Sequence, residues 1–194
     1  PIYRTPVDIG LVTSAGKQIE KVWLNQAVHN FQFQLAERPL LVRFDEGNQL
    51  LKQWSFQKEV TELLYQAEHD DVIGREWAIR ELARHPNNAA VISFLVGRSH
   101  SDSFWAVRKA TVEVLQSMSF DNQDEHYISL LTDSNSKVRV AAMRALASSG
   151  NRSHLALFRA RFEKDDSYLA QAEALRAIGR IGSLDDLDFL LQAS

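Results

Sequence analysis

The sequence has 194 residues, of which 45% are hydrophobic and 24% are charged, an ordinary composition for a globular protein of one large or two small domains. Its formal net charge of -3 gives no global basic signal, which argues against bulk nucleic-acid binding. The chain lacks cysteine, which excludes disulfides, thiolate zinc sites and thiol catalysis, and no apolar run reaches the roughly 18 residues of a membrane span.

The first part of the chain, residues 1–56, has the pattern of short strands. Apolar and polar residues alternate over 31–36 and over 40–45, which is the period of a half-buried strand. Five antiparallel strands in so short a segment indicate a small β-sandwich or a β-meander, and we assign a β-sandwich domain. The predicted strands are 7–13, 18–24, 29–35, 40–45 and 48–53. The residues expected in the core are Val7, Ile9, Leu11, Trp23, Phe31, Phe33, Val42 and Phe44.

The second part of the chain, residues 57–194, has helical periodicity throughout. Ser136, Ser153 and Ser183 are suited to begin helices as N-caps, the last with an acidic residue three positions later. Gly150 and Gly182 each follow a closing apolar position by four residues and are suited to end helices. The predicted helices are 57–68, 72–84, 88–97, 103–117, 122–132, 135–148, 152–163, 167–180 and 185–192.

One sequence pattern occurs four times in this helical part. The stretches that begin at Asp102 and Asp133 align without a gap, a third begins at Asp165, and a weaker first copy runs through Arg75. The closing positions of the four copies are separated by 33, 31 and 32 residues. A fixed period of this length is typical of a solenoid in which supersecondary units stack and share a core. The expected fold class is therefore α+β in two parts, a small antiparallel β-sandwich followed by an α–α superhelix.

The unit Asp133…Val138-Arg139-x-Ala141-Ala142-x-x-Ala145-Leu146 resembles a HEAT repeat, and the resemblance extends over about residues 70–182. It implies a HEAT-like or armadillo-like solenoid in which a turn aspartate and an arginine of the second helix link neighbouring repeats. The alternative is a row of cations aimed at an anionic ligand or a peptide carboxylate. The aspartates are Asp102, Asp133 and Asp165, the arginines are Arg75, Arg108 and Arg139, and Gln171 replaces the arginine in the last copy.

We predict no catalytic residue and no metal ligand in this chain. The histidines lack the i, i+4 spacing of a helical zinc site, and the acidic clusters lack the alternating oxygens and glycine of a calcium loop. Trp77 and Trp105 flank the early repeats, where they belong either to the core or to a ligand-binding face. The histidines are His29, His69, His85, His100, His126 and His154.

The first part also resembles the small β-sandwich that follows the catalytic domain in the aminopeptidase N family of zinc metallopeptidases. The matching segments are 6–12, 22–24, 31–35, 39–45 and 50–52. The order of a sandwich followed by helical repeats strengthens the resemblance, because many members of that family end in this way.

This resemblance implies a parent enzyme that removes N-terminal residues with a zinc-bound water, the zinc being held in a catalytic domain that this chain lacks. The sequence begins at Pro1 without a methionine, and we expect it to be a piece of a longer polypeptide whose compartment stays open. The expected partners are that catalytic domain and its peptide substrate. The helical repeats would limit peptide access, and arginines on their concave face would hold a peptide's C-terminal carboxylate. The candidates for this role are Arg139, Arg144, Arg176 and Arg180.

Two alternatives remain open. The chain is an interaction scaffold of HEAT-like repeats, as in the aminopeptidase-like subunit of a general transcription factor, which has lost the chemistry. In the second alternative, the chain is an unrelated HEAT protein that modifies or shelters another protein.

Overall fold

The computed structural model describes residues 3–192, which form three β-strands and nine α-helices. This is the α+β layout that the sequence predicts. The chain divides into two compact units, Pro1–Gln66 and Ala67–Ser194, which we call the sheet unit and the helical unit. No helix among the described residues has the length and apolar character needed to cross a membrane.

The sheet unit contains one antiparallel sheet. Its strands are β1 Thr5–Thr13, β2 Gly16–Leu24 and β3 Leu41–Phe44, and their order is β2-β1-β3. β1 and β2 form a hairpin in which Thr13 pairs with Gly16, and the φ angle of 133° at Gly16 favours glycine at that end of the turn.

The core of the sheet unit lies on one face of this hairpin. Val7, Ile9 and Leu11 are buried as predicted, but the predicted core positions Trp23 and Phe31 are wrong, with 44% and 40% of their surfaces exposed. Val7 pairs with Val22, so Val22 faces the core and the next residue faces the other side of the sheet. A one-residue difference in register exchanges the two faces of a strand, and this explains the error at Trp23.

The predicted strands 29–35 and 48–53 are also wrong, because both segments are irregular. Their apolar side chains nevertheless pack against the sheet, as Phe33, Leu35 and Leu50 show. In the described part of the chain, irregular segments therefore cover the core instead of a second sheet. Alternating apolar and polar residues indicate that one side of an extended segment is buried. The pattern does not require that the segment be hydrogen-bonded to a neighbouring strand.

All nine predicted helices are present in the described residues. Short 3₁₀ turns at Arg152–His154 and Leu184–Asp186 precede the seventh and ninth. The helices are α1 Val60–His69, α2 Val72–Leu82, α3 Ala89–Ser101, α4 Trp105–Leu115, α5 Gln123–Leu130, α6 Ser136–Ser148, α7 Leu155–Lys164, α8 Tyr168–Ile181 and α9 Leu187–Gln192.

The helical unit is built from stacked helix pairs. α2, α4, α6 and α8 contact one another in that order and form what we call the second-helix layer, while α3, α5 and α7 pack on α4, α6 and α8. Three alanines at one repeat position, Ala78, Ala142 and Ala174, are fully buried, and their small side chains permit close helix approach.

The helix ends agree only in part with the sequence expectations. Ser183 is an N-cap as predicted, and its backbone N–H donates to Asp186 at 2.8 Å. The N-caps predicted at Ser136 and Ser153 are wrong, because Asn135 caps α6 and Asn151 caps the 3₁₀ turn before α7. Both asparagines have extended backbones and side-chain oxygens that accept from the next turn, so they serve the same purpose one or two residues earlier.

The glycines end helices as predicted. Gly150 directly follows the C-cap of α6 with a φ angle of 68°, the left-handed conformation that favours glycine. Gly182 is the C-cap of α8 with an extended backbone.

Candidate functional site

A repeated arginine–aspartate contact joins successive members of the second-helix layer. Arg108 donates from Nε and Nη2 to the two carboxylate oxygens of Asp133, both at 2.8 Å. Arg75 makes the same bidentate contact with Asp102 at 2.9 and 3.1 Å, and the Nε of Arg139 donates to Asp165 at 2.8 Å. A planar guanidinium matches a carboxylate in this geometry, which gives the contact direction as well as strength.

Each arginine also holds the turn that begins its own repeat. The Nη1 atoms of Arg75, Arg108 and Arg139 donate to main-chain carbonyls of the preceding turns at 2.9, 2.8 and 2.9 Å. Gln171 keeps this contact through its amide nitrogen at 2.7 Å, but its shorter side chain does not extend to a further aspartate in the described residues. The ladder therefore ends at α8.

Burial and hydrogen bonding act against each other on two of the ladder aspartates, Asp133 and Asp165. Burial acts to raise the pKa of Asp133, but the hydrogen bonds from Arg108 and from the Asn135 amide outweigh it, and the pKa lies below its ordinary value. Asp165 behaves in the same way, with Arg139 and the Ser167 amide as donors. Both carboxylates are therefore held ionised, and each accepts charge-assisted hydrogen bonds from its arginine.

The surface of the second-helix layer carries a groove of about 420 Å³ that runs across four helices. Ala106 and Lys109 on α4 occupy the same two repeat positions as Lys137 and Val140 on α6, so one helix face recurs from repeat to repeat. The lining residues are Glu76, Trp105, Ala106, Lys109, Lys137, Val140, Arg144 and Leu169.

Most charges in this groove are paired within the chain. Lys109 lies 2.6 Å from Glu113, and Arg144 donates to Glu173 at 2.9 Å. Glu76 accepts from Arg80 at 2.8 Å. The groove therefore has an excess of positive charge, because the charge of Lys137 is not offset by any of these pairs.

Lys137 is exposed, and among the described residues no carboxylate lies within ion-pair distance of it. Its ammonium lies 4.4 Å from the centre of the Trp105 ring, a cation–π contact that holds it over the groove. Trp105 is half-buried, so it serves both the stacking of the helices and the surface of the groove.

The four arginines predicted to hold a peptide carboxylate lie in different settings. Arg139 is buried in the ladder, and Arg144 and Arg176 both contact the buried carboxylate of Glu173. Arg180 is exposed, with no ion-pair partner among the described residues. Only Arg144 lines the groove, so the structure does not bring the four together.

The predicted histidines are dispersed, apart from one pair on neighbouring helices. His100 and His126 meet edge to face at 5.1 Å, and hydroxyls of Ser99 and Ser129 lie within 3.2 and 3.4 Å of them. Burial, with a smaller effect from His100, lowers the pKa of His126 to about 4. Residues 3–192 contain no group of three or more potential side-chain metal ligands.

The sequence pattern does not predict the groove, although it offers Trp105 as either a core or a ligand-binding residue. A signal was present in the aligned repeats, because Ile73, Ala106, Lys137 and Leu169 share one position in the first turn of the second helix. An outward-facing position that varies in this way, next to constant core positions, is where a repeat surface acquires specificity.

Residues 124–194 match the family model for HEAT repeats. No curated protein matches the chain. The matched segment begins within α5, ends beyond α9 and includes the ladder residues Asp133, Arg139 and Asp165. Together with the stacked helix pairs, the match supports a helical repeat scaffold with HEAT-like repeats.

Proposed function

We propose that this chain is a protein-binding scaffold and that its partner binds in the groove of the second-helix layer. The observation that carries the proposal is the groove itself, which crosses the four helices of the second-helix layer. It combines apolar lining residues with a cation, Lys137, that has no carboxylate partner within residues 3–192. HEAT-like repeats form extended surfaces of this kind, which suits the binding of another protein.

Exposed apolar side chains at one end of the groove support this proposal. Leu169 is 44% exposed at the groove wall, and the adjacent Tyr168 is 87% exposed. Large side chains with an apolar body contribute most of the energy in protein interfaces when a partner covers them.

A selection of binding peptides from a random display library tests the proposal, followed by affinity measurements on two matched variants. We expect Leu169→Glu, on α8, to abolish binding of the selected peptides. Ile128→Glu is the control, because Ile128 is 38% exposed on α5, outside the second-helix layer. If both variants weakened peptide binding equally, or if neither changed it, the groove would be refuted as the binding surface.

A more specific proposal rests on the resemblance to the aminopeptidase N family. In that case the scaffold would be the non-catalytic C-terminal segment of a zinc aminopeptidase, and its groove would contact the catalytic domain or its peptide substrate. The resemblance of segments 6–12 and 39–45 supports it. The test is to assay the longer parent polypeptide on aminoacyl amides with and without a zinc chelator; a well-folded parent that lacks chelator-sensitive activity would refute it.

A further inference from the structure

We infer that the groove selects an extended partner segment in which acidic side chains lie next to an apolar one, with Lys137 as the principal carboxylate receptor. This inference rests on the proposed function and adds to it the chemistry of the partner.

The charge distribution of the groove points to an acidic partner. Lys109, Lys137 and Arg144 supply three lining cations against one lining carboxylate, Glu76. Lys109 and Arg144 already face Glu113 and Glu173 at 2.6 and 2.9 Å. Lys137 alone among these cations lacks such a neighbour in the described residues, so a ligand carboxylate would gain the most at that position.

The Trp105 ring prepares Lys137 for this contact. The ring fixes one side of the ammonium at 4.4 Å and excludes water from that side, while the other donors of the ammonium stay free. The Lys137 side chain then loses less conformational freedom when a carboxylate binds. The half-buried indole also displaces water, so the attraction between the ammonium and the carboxylate is screened less than in bulk water.

The groove also has an apolar side, which sets the second requirement on the partner. Val140 and Ala106 also line it, and Leu169, which is 44% exposed, lines it from α8. An apolar side chain of the partner would cover Leu169 while its acidic neighbour meets Lys137. Purely acidic segments would leave this surface exposed, so the inferred segment is mixed.

The test uses the peptides selected on this chain from an unbiased twelve-residue display library, each measured by fluorescence anisotropy. We expect enrichment of Asp and Glu beside an apolar residue. We expect Lys137→Glu to weaken binding on the order of tenfold and added NaCl to weaken binding to the wild type. The matched control is Lys164→Glu, which makes the same charge change at an exposed position at the end of α7, outside the groove, and should leave the affinity within about twofold.

The outcomes separate this inference from the proposed function. Peptides that require Leu169 but show no acidic enrichment, or that respond equally to Lys137→Glu and Lys164→Glu, would overturn the inference and leave the scaffold proposal standing. If no selected peptide depended on Leu169, both would be overturned. Acidic peptides that require both Leu169 and Lys137 would support both.

Discussion

In the helical unit one stabilising contact recurs from repeat to repeat, whereas in the sheet unit each such contact occurs once. The bidentate arginine–aspartate pair joins α2 to the start of α4, α4 to the start of α6, and α6 to the start of α8. In the sheet unit, Asp45 is a single buried centre that accepts from the Gln49 and Leu50 amides at 3.0 Å and from Lys52. The repeated pairs therefore contribute to stability at several places along the helical unit, whereas the contacts of Asp45 contribute at one place in the sheet unit.

The open edge of β3 shows the same contrast. At this edge the Val42 N–H donates to Glu62 at 3.0 Å and the Val42 carbonyl accepts from Lys58 at 2.6 Å. Lys58 and Glu62 also pair with each other at 2.8 Å, so one ion pair occupies the positions of a neighbouring strand. The helical unit instead has the same arginine–aspartate pair at three successive helix contacts.

The largest effect is expected from breaking one rung of the ladder. Asp133→Ala leaves the buried guanidinium of Arg108 without its carboxylate, and removal of one member of a buried pair costs about 3–5 kcal/mol. Urea unfolding gives the free energy, and hydrogen exchange should show the loss in α4 and α6 first.

The control for this rung is the pair of Arg84 and Glu81, whose side chains lie 2.7 Å apart and are 65% and 20% exposed. Glu81→Ala should cost about 1 kcal/mol or less, because exposed ion pairs are screened by water. A similar cost for both variants would contradict the structural role of the ladder.

In the sheet unit, Glu62→Ala tests the edge of β3. The substitution leaves the Val42 N–H without its acceptor and removes the carboxylate that pairs with the buried Lys58 ammonium, which should cost about 1–3 kcal/mol. Faster hydrogen exchange should be confined to β1, β2 and β3. Unchanged exchange in β3 would show that the ion pair does not protect this edge.

The pair of histidines predicts acid sensitivity in the helical unit. Burial lowers the pKa of His126 to about 4, so the folded state favours the neutral ring and binds fewer protons than the unfolded state below pH 6.5. Stability is therefore complete above pH 6.5 and falls as the pH decreases towards 4. The loss should be on the order of 1–2 kcal/mol, allowing for the partial exposure of the ring.

His126→Gln removes this titration, and thermal unfolding between pH 7 and pH 4 measures it. His69→Gln is the control, because His69 is exposed at the end of α1. An equal pH slope in the wild type and in His126→Gln would rule out His126 as its cause.

The sequence was informative where a physical requirement repeats. The ladder residues and the helix positions follow from a spacing that occurs several times, so chance matches at single positions do not mislead. The register of β2 depends on one residue, and two adjacent large apolar residues, Val22 and Trp23, are both reasonable core candidates. Nothing local chooses between them, because the choice is made by the pairing with β1.

The groove depends on contacts that spacing alone does not reveal. Arg144 and Glu173 are 29 residues apart, and their pairing requires the exact stacking of α6 on α8. Because of that pairing, Arg144 is half of an ion pair and not a free cation. Lys137 is then the groove cation that has no carboxylate partner among the described residues. The aminopeptidase resemblance of the first part of the chain stays a prediction.

The smallest expected effect distinguishes two adjacent residues at the start of α6. Asn135 accepts a hydrogen bond from the Lys137 amide at 3.0 Å as the N-cap, while Ser136 is already the first helical residue. Asn135→Ala should therefore cost about 1 kcal/mol in chemical denaturation, and Ser136→Ala should change the free energy of unfolding by no more than a few tenths. The reverse order would place the cap at the serine that the sequence pattern favoured. Because α6 also carries Lys137, fraying at Asn135→Ala should loosen the groove at the same time, and the affinity of groove-binding peptides should fall with it.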